Sequence, residues 1–208
     1  IFKFKKRGNF VSSKIIFIIG GARSGKSSFA LKEASTIPGK KAYIATAEAL
    51  DSEMKVRIER HKKDRGNNWD TYEEPLKITN ILSDIKTKYD VLVIDCLTLW
   101  LSNLLIRTEN LPTGQAGTEY RLQIIETEIQ IFLDALSSFK DSSVWALGSG
   151  VCSLYVVSNE VGMGIVPDNE MAREFRDMTG LLNQKIAEMA DEVYAVTAGI
   201  PVKIKSLT

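Results

Sequence analysis

The sequence predicts an α/β fold in which a mostly parallel central sheet lies between two layers of helices. Apolar strand-like runs alternate along the chain with stretches whose apolar residues recur at helical spacing, which is the order expected of βαβ units. The apolar runs are continuous rather than alternating, as in parallel strands buried on both faces. No internal repeat or linker divides the 208 residues, so we expect one domain over residues 14–208, preceded by a mobile arm over residues 1–13.

The strands are predicted from short apolar runs bounded by glycine or polar residues. KIIFIIGG opens the domain, KAYIATA follows at residues 41–47, and VLVID gives a third strand over Val91–Asp95. CSLYVVSN predicts a fourth strand, and DEVYAVTAGIPVKIK predicts a closing strand with a hairpin-like end.

The helices are predicted between these runs, from apolar residues at i, i+3 and i+4 spacing. Residues 26–36 stop at PGKK, and residues 50–65 form a densely charged, exposed helix. EPLKITNILSDIKTKY predicts a helix with Pro75 in its first turn, a position that suits proline. Two more helices are predicted from YRLQIIETEIQIFLDALSSF and NEMAREFRDMTGLLNQKIAEMA, and the polar stretch RTENLPTGQAGTE predicts a surface loop.

Composition narrows the class of protein. The 27 basic and 26 acidic residues give a net charge of +1, which argues against a nucleic-acid partner. Cys96 and Cys152 each lie in or beside an apolar run, as buried thiols in a reducing compartment do. No apolar stretch is long enough to span a bilayer and none resembles a secretory signal, so we expect a cytoplasmic protein.

The stretch GGARSGKSS, Gly20 to Ser28, satisfies the pattern G-x-x-x-x-G-K-[ST] between a strand and a helix, which predicts a P-loop. Backbone N–H groups of such a loop converge on phosphate oxygens at the helix N-terminus. Lys26 would bridge the β- and γ-phosphates, and Ser27 would ligate Mg²⁺. Asp95, which ends VLVID, fits a Walker-B carboxylate in the second coordination sphere of Mg²⁺, or alternatively a helix N-cap.

His61 is the only histidine of the chain, and it lies within a strongly basic segment. Its basic neighbours are Arg57, Arg60, Lys62, Lys63 and Arg65. One interpretation is an ordinary solvated helix face. The other is that the cations favour a neutral, nucleophilic imidazole and neutralise a triphosphate, so that His61 could attack an α-phosphate and carry a nucleotidyl group.

Polar residues after the fourth strand form a further candidate region. Asn159 and Glu160 follow the strand end, where doubly wound folds keep their ligands, although a plain loop would look the same. Arg173, Arg176 and Asp177 recur near one helix face, which fits substrate binding, a subunit contact or simple solvation.

Taken together, these segments resemble the family of bifunctional adenosylcobinamide kinase/adenosylcobinamide-phosphate guanylyltransferases. The matching pieces occur in the family's order from about Ile15 to Lys205: GGARSGKS, YIATA, DSEMKVRIERHKKDR, WDTYEEP, DCLTLWLSNLL, VSNEVGMGIVP, REFRDMTGLLNQKIAEMADEVY and GIPVKIK. The resemblance implies a P-loop NTPase (RecA-like) three-layer sandwich and a homotrimer. Two differences stand out: Gly66 replaces a proline common in the family, and the stretch with GSG at 148–150 is longer than usual.

The resemblance implies two reactions with nucleotide substrates and Mg²⁺. ATP or GTP phosphorylates the aminopropanol hydroxyl of adenosylcobinamide, and GTP then donates GMP to adenosylcobinamide phosphate through a guanylyl-histidine, releasing pyrophosphate. By motif position the histidine is His61, with Lys26 the second catalytic residue and Ser27 and Asp95 at the metal. The implied nucleotide contacts are Gly20, Gly21, Ala22, Arg23, Ser24, Gly25, Lys26, Ser27, Ala45, Thr46, Ala47, Lys62, Lys63, Asp64, Arg65, Glu73 and Asp95.

Two other functions compete with this interpretation. The chain could be a P-loop kinase of another small metabolite, with His61 merely structural. It could also be a RecA-type, nucleotide-dependent module that binds a macromolecule, although the near-neutral charge disfavours nucleic acid.

Overall fold

A computed structural model of the chain describes residues 13–109, 117–140 and 153–206. Residues 1–12 of the predicted arm, Cys152 and the GSG stretch lie outside the described residues. The strands are β1 (Lys14–Gly20), β2 (Lys41–Ala45), β3 (Asp70–Glu73), β4 (Val91–Asp95), β5 (Ser153–Asn159), β6 (Glu192–Thr197) and β7 (Ile200–Ser206). The helices are α1 (Lys26–Thr36), α2 (Ser52–Arg65), α3 (Ile78–Ile85), α4 (Leu97–Glu109), α5 (Gly117–Lys140) and α6 (Glu170–Met189).

The described strands form one sheet in the order β3-β2-β4-β5-β1-β6-β7. All neighbouring pairs are parallel except the C-terminal hairpin, in which β7 runs antiparallel to β6. The predicted α/β fold with a mostly parallel sheet is therefore confirmed. Because parallel strands share a direction, the loops after β1, β2, β4 and β5 meet at the carboxyl edge of the sheet, where ligands of open α/β sheets bind.

Each face of the sheet has its own hydrophobic core, because every strand from β1 to β6 sends alternate side chains to opposite faces. On one face α3, α4, α5 and α6 bury a large cluster around Trp100, Phe132 and Phe139. On the other face α1 contributes Ala30 and Ala34, whose small side chains bring the helix close to the strands. The sheet whose carboxyl edge carries these loops is thus packed on both faces.

Two local predictions from the sequence differ from the structure, and one strand was not predicted. The segment after Glu73 is not helical at Pro75: the Glu74 carboxylate accepts hydrogen bonds from the amides of Leu76 and Lys77, at 2.9 and 2.8 Å, and this turn delays the helix until Ile78. The predicted surface loop after Ile106 is helical at both ends, since α4 continues to Glu109 and α5 begins at Gly117, with residues 110–116 outside the described part.

The third difference is an additional strand, which the sequence pattern did not predict. Residues Asp70–Glu73, with the sequence DTYE, pair in parallel with β2 from Ala42 to Ala45. This strand lies at the edge of the sheet and is mostly exposed, so its sequence lacks the apolar run typical of a buried strand. Because β3, β2 and β4 are parallel, Glu73 lies at the carboxyl edge of the sheet, as Asp95 does.

Among the described residues, no helix is both long enough and apolar enough to cross a membrane.

Candidate active site

The P-loop connects β1 to α1 at the carboxyl edge of the sheet. Gly25 has φ 94° and Arg23 has φ 58°, so the loop turns through two left-handed positions before α1 begins at Lys26. Gly20 lies where a side chain cannot fit, since a Cβ there would be 2.4 Å from the Val196 carbonyl oxygen. The loop therefore turns tightly into the N-terminus of α1, and the unpaired amides of a helix N-terminus suit an anion.

Lys26 lies within this loop with its ammonium group largely shielded from solvent. Its Nζ donates a hydrogen bond to the Gly21 carbonyl at 2.9 Å, and the side chain is only 6% exposed. Burial lowers the pKa of Lys26, while the nearby Cys96 and Asp95 act in the opposite direction. A phosphate oxygen reaching this position would give the ammonium a charged partner in place of a neutral carbonyl.

Asp95 lies at the end of β4, facing the same region. Its carboxylate accepts a hydrogen bond from the hydroxyl of Tyr43 on β2, and Cys96 stands between it and the first residue of α4. Burial, followed by the charge of Asp95, raises the pKa of Tyr43 well above its ordinary value, so the tyrosine remains a hydrogen-bond donor. The Asp95 carboxylate at the end of β4 is thus held by a side chain of the neighbouring strand β2.

Helix α2 covers the P-loop and supplies His61. The helix begins after Asp51, whose carboxylate accepts from the Met54 amide, and Arg57 and His61 lie one turn apart on the same face. A cleft of about 700 Å³ separates this face from the P-loop. Below it an inner pocket of about 90 Å³ reaches Asp95, and His61, Arg57, Lys26 and Ser27 line both spaces.

Most of the residues proposed from the sequence meet around these two spaces. Those that line one or both are Arg23, Ser24, Gly25, Lys26, Ser27, His61, Asp64, Ala45, Ala47, Arg65, Glu73 and Asp95. Gly20 is the last residue of β1, and Gly21 and Ala22 begin the P-loop turn.

Three of the proposed nucleotide contacts take other positions in this structure. Thr46 is fully buried, and its hydroxyl bonds both the amide and the carbonyl of Cys96 at 2.8 Å, which fixes the loop after β4. Lys62 forms an ion pair with Glu73 at 2.6 Å. Lys63 lies on a different side of α2, near Lys55. In this arrangement none of the three lines the cleft or the inner pocket.

Tyr43 was not predicted from the sequence as part of the site, and Arg57 was predicted only as one of several basic residues around His61. Tyr43 was hidden because it occurs in an apolar run, where an aromatic residue indicates core packing. Arg65 was proposed as a nucleotide contact, but it is only 8% exposed and its guanidinium lies 4.3 Å above the ring of Tyr43. The structure thus connects the end of α2 to the carboxylate at the end of β4.

The loop after β5 borders the P-loop, as its position after a strand end predicted. The Glu160 amide donates to the Gly20 carbonyl at 2.9 Å, and Asn159 lines the inner pocket. Arg173 of α6 donates to the carbonyls of Pro167 and Asp168, which fixes the far end of the loop. This arginine therefore supports the loop, whereas the sequence alone left its role open.

Ser27 and Asp95 offer oxygen ligands suited to Mg²⁺ within the same inner pocket. In the part of the chain that is described, no group of three or more His, Cys, Asp or Glu side chains could hold a metal by itself. Mg²⁺ at phosphate sites uses one or two protein oxygens and completes its shell with phosphate and water. The residues present fit that pattern.

Comparisons with known proteins agree in family and in fold. The sequence profile of the CobU family, described as cobinamide kinase/cobinamide phosphate guanyltransferase, matches residues 16–204. The bifunctional adenosylcobalamin biosynthesis protein CobU of Salmonella typhimurium is 39% identical over 92% of this chain and 99% of its own, and that of Escherichia coli is 35% identical over the same shares. A type III secretion ATPase superposes with a TM-score of 0.52 at 12% identity, covering 89% of this chain and 52% of its own, which supports the P-loop NTPase fold alone.

Proposed function

Because the chain belongs to the cobinamide kinase/cobinamide phosphate guanyltransferase family, we propose that it phosphorylates adenosylcobinamide and then transfers GMP from GTP to adenosylcobinamide phosphate. The single observation that carries the proposal is the position of His61. Its side chain lines both the cleft above the P-loop and the inner pocket that holds Lys26, Ser27 and Asp95. A nucleophile and a triphosphate cradle thus line the same two spaces.

In the guanylyl transfer, an imidazole nitrogen of His61 attacks the α-phosphorus of GTP. The new P–N bond forms as the bond from the α-phosphorus to the pyrophosphate oxygen breaks, and the pyrophosphate stays against Lys26 and the P-loop amides. A phosphate oxygen of the cobinamide phosphate then attacks the same phosphorus, the P–N bond breaks, and adenosylcobinamide-GDP forms. Dividing one displacement into two is the advantage of covalent catalysis.

In the phosphorylation, the aminopropanol hydroxyl of adenosylcobinamide attacks the γ-phosphorus of ATP or GTP and loses its proton. The new P–O bond forms as the bond from the γ-phosphorus to the β,γ-bridging oxygen breaks, and ADP or GDP leaves. Lys26 and the amides at the start of α1 stabilise the charge on the transferred phosphoryl group. Mg²⁺, held by Ser27 and through water by Asp95, would supply further charge neutralisation. Arg57 lines both spaces and would neutralise the remaining phosphate charge.

We further propose a homotrimer in the cytoplasm. Ile200, Val202 and Ile204 alternate along β7 at the edge of the described sheet, and all three are exposed, which supports association with another copy through that strand. The buried free thiol of Cys96 supports a reducing compartment. Sedimentation velocity tests the association: wild type should sediment as a trimer, and Val202→Glu should shift it toward monomer.

The direct test is to incubate the protein with Mg²⁺ and GTP labelled at the α-phosphate and to separate it by denaturing electrophoresis. Wild type should carry label that is acid-labile and alkali-stable, and His61→Ala should carry none while retaining phosphorylation of cobinamide. Lys63→Ala is the matched control, because Lys63 lies two residues away on another side of α2. Label that persists in His61→Ala, or equal loss of both activities in the folded variant, would contradict the proposal.

A further inference from the structure

We propose that Tyr43 is a positioning residue that holds the Asp95 carboxylate and the end of the His61 helix through two separate contacts. Its hydroxyl donates to Asp95, and its ring carries the guanidinium of Arg65. The roles of Asp95 at the metal and of His61 in GMP transfer rest on the proposed function, whereas the two contacts of Tyr43 are features of the fold. Tyr43 thereby fixes the position of the Asp95 carboxylate relative to the helix that carries His61.

The hydroxyl contact follows from the register of neighbouring strands. β2 and β4 are parallel, and Tyr43 lies opposite Val93 while Ala45 lies opposite Asp95. Tyr43 and Asp95 therefore project from the same face of the sheet, two residues apart along the strands. The tyrosine is 3% exposed, so water has little access to take the place of its hydroxyl. A carboxylate whose rotation is fixed in this way presents its oxygens in one direction, as an orienting group for metal-bound water must.

The ring contact holds the last turn of α2. Arg65 is the final residue of that helix, and its guanidinium lies 4.3 Å above the centroid of the Tyr43 ring in a buried position. The indole of Trp69 packs edge-on against the same ring, with centroids 6.2 Å apart. A desolvated cation over an aromatic face binds more strongly than an exposed one. Because His61 lies one helical turn before Arg65, displacement of this end of α2 would displace the imidazole.

The hydroxyl is tested by metal binding, which does not depend on turnover. Mn²⁺ binding to the complex with α,β-methylene-GTP is measured by electron paramagnetic resonance for wild type and Tyr43→Phe, which keeps the ring. We expect a roughly tenfold weaker Mn²⁺ affinity in Tyr43→Phe, the usual consequence of losing a hydrogen bond to a charged group. Tyr155→Phe is the matched control, since Tyr155 is a buried tyrosine on the same face whose cavity neighbours include Glu33 and Glu192 instead of Asp95.

A double variant shows whether the hydroxyl acts through the carboxylate. In the Asp95→Asn background, Tyr43→Phe should cause no additional loss of Mn²⁺ affinity, because the group it orients has already been changed. Equal affinities in wild type and Tyr43→Phe would overturn this half of the proposal. So would a loss that adds fully to that of Asp95→Asn, since it would mean that the hydroxyl acts elsewhere.

The ring is tested by hydrogen exchange of the α2 amides in Ser52–Arg65. Tyr43→Phe should exchange like wild type, whereas Arg65→Met and Tyr43→Leu should exchange roughly fivefold faster in the last turn, because the cation–ring contact is lost. Unchanged exchange in Arg65→Met would overturn the anchoring role. Absence of GMP label on wild type would instead refute the proposed function, and it would leave both of these measurements intact.

Discussion

Replacing Gly20 by alanine should destabilise the fold and distort the phosphate site together. A Cβ added at Gly20 would lie 2.4 Å from the Val196 carbonyl oxygen and 2.7 Å from the Ser24 hydroxyl oxygen. The first distance falls short of an ordinary contact, which begins at 3.4 Å, by about 1 Å. Val196 belongs to β6 and pairs directly with Gly20, so its carbonyl cannot retreat without opening the sheet.

The expected cost is about 2 to 3 kcal/mol, at the upper end of the range for overpacking a rigid site by one methyl group. The adjacent Gly21 provides a matched control, because a Cβ there meets no atom within 4 Å and its φ is not positive. Gly21→Ala should therefore remain within about 0.5 kcal/mol of wild type. For a chain of this size, the predicted difference corresponds to a decrease in Tm of roughly 4 to 12 °C for Gly20→Ala alone.

Calorimetry or chemical denaturation of the two variants measures this difference directly, and binding of a GTP analogue measures the effect on the site. We expect Gly20→Ala to lose both stability and nucleotide affinity, since the displaced Ser24 belongs to the P-loop. If both variants were as stable as wild type, the packing of β1 against β6 described above would be wrong.

Three further predictions concern the fold around the site. Gly66→Ala should cost about 1 to 3 kcal/mol, because φ 63° and ψ −162° form a conformation essentially restricted to glycine, and a stability equal to wild type in urea unfolding would contradict this. Asp191→Ala should lower the free energy of unfolding by about 2 kcal/mol, because the carboxylate accepts a hydrogen bond from the Ile15 amide of β1 at 2.7 Å and pairs with Lys140 at 2.9 Å. Lys140→Ala should lower it by less, and a larger loss in Lys140→Ala than in Asp191→Ala would contradict this prediction. Burial raises the pKa of Cys96 and of Tyr155 to about 12 each, so the unfolded chain releases these two protons at lower pH than the folded chain does. The free energy of unfolding should therefore fall as pH rises above about 9, and a free energy of unfolding that stays constant up to about pH 11 would contradict this prediction.

The sequence was most informative where a local pattern has one physical solution. The apolar runs at residues 15–19 and 91–94, bounded by glycine or polar residues, are typical of central parallel strands buried on both faces, and the structure places them there. The P-loop pattern likewise specifies its own turn, because Gly25 allows a left-handed backbone before α1 and Gly20 allows the close approach of β6. Edge strand β3 escaped prediction because an exposed strand has no apolar signature, and the turn before α3 escaped because it depends on one Glu74 side chain.

The sequence by itself determined the strand–helix order, the phosphate-binding loop and, through resemblance, the importance of His61. Only the tertiary structure decided which side chains meet. Tyr43 and Asp95 are 52 residues apart in the chain and come together through the register of β2 and β4, while Arg65 joins them because α2 ends above that ring. Contacts of this kind depend on the pairing of distant segments, whereas motifs and periodicity report only the conformational preferences of neighbouring residues.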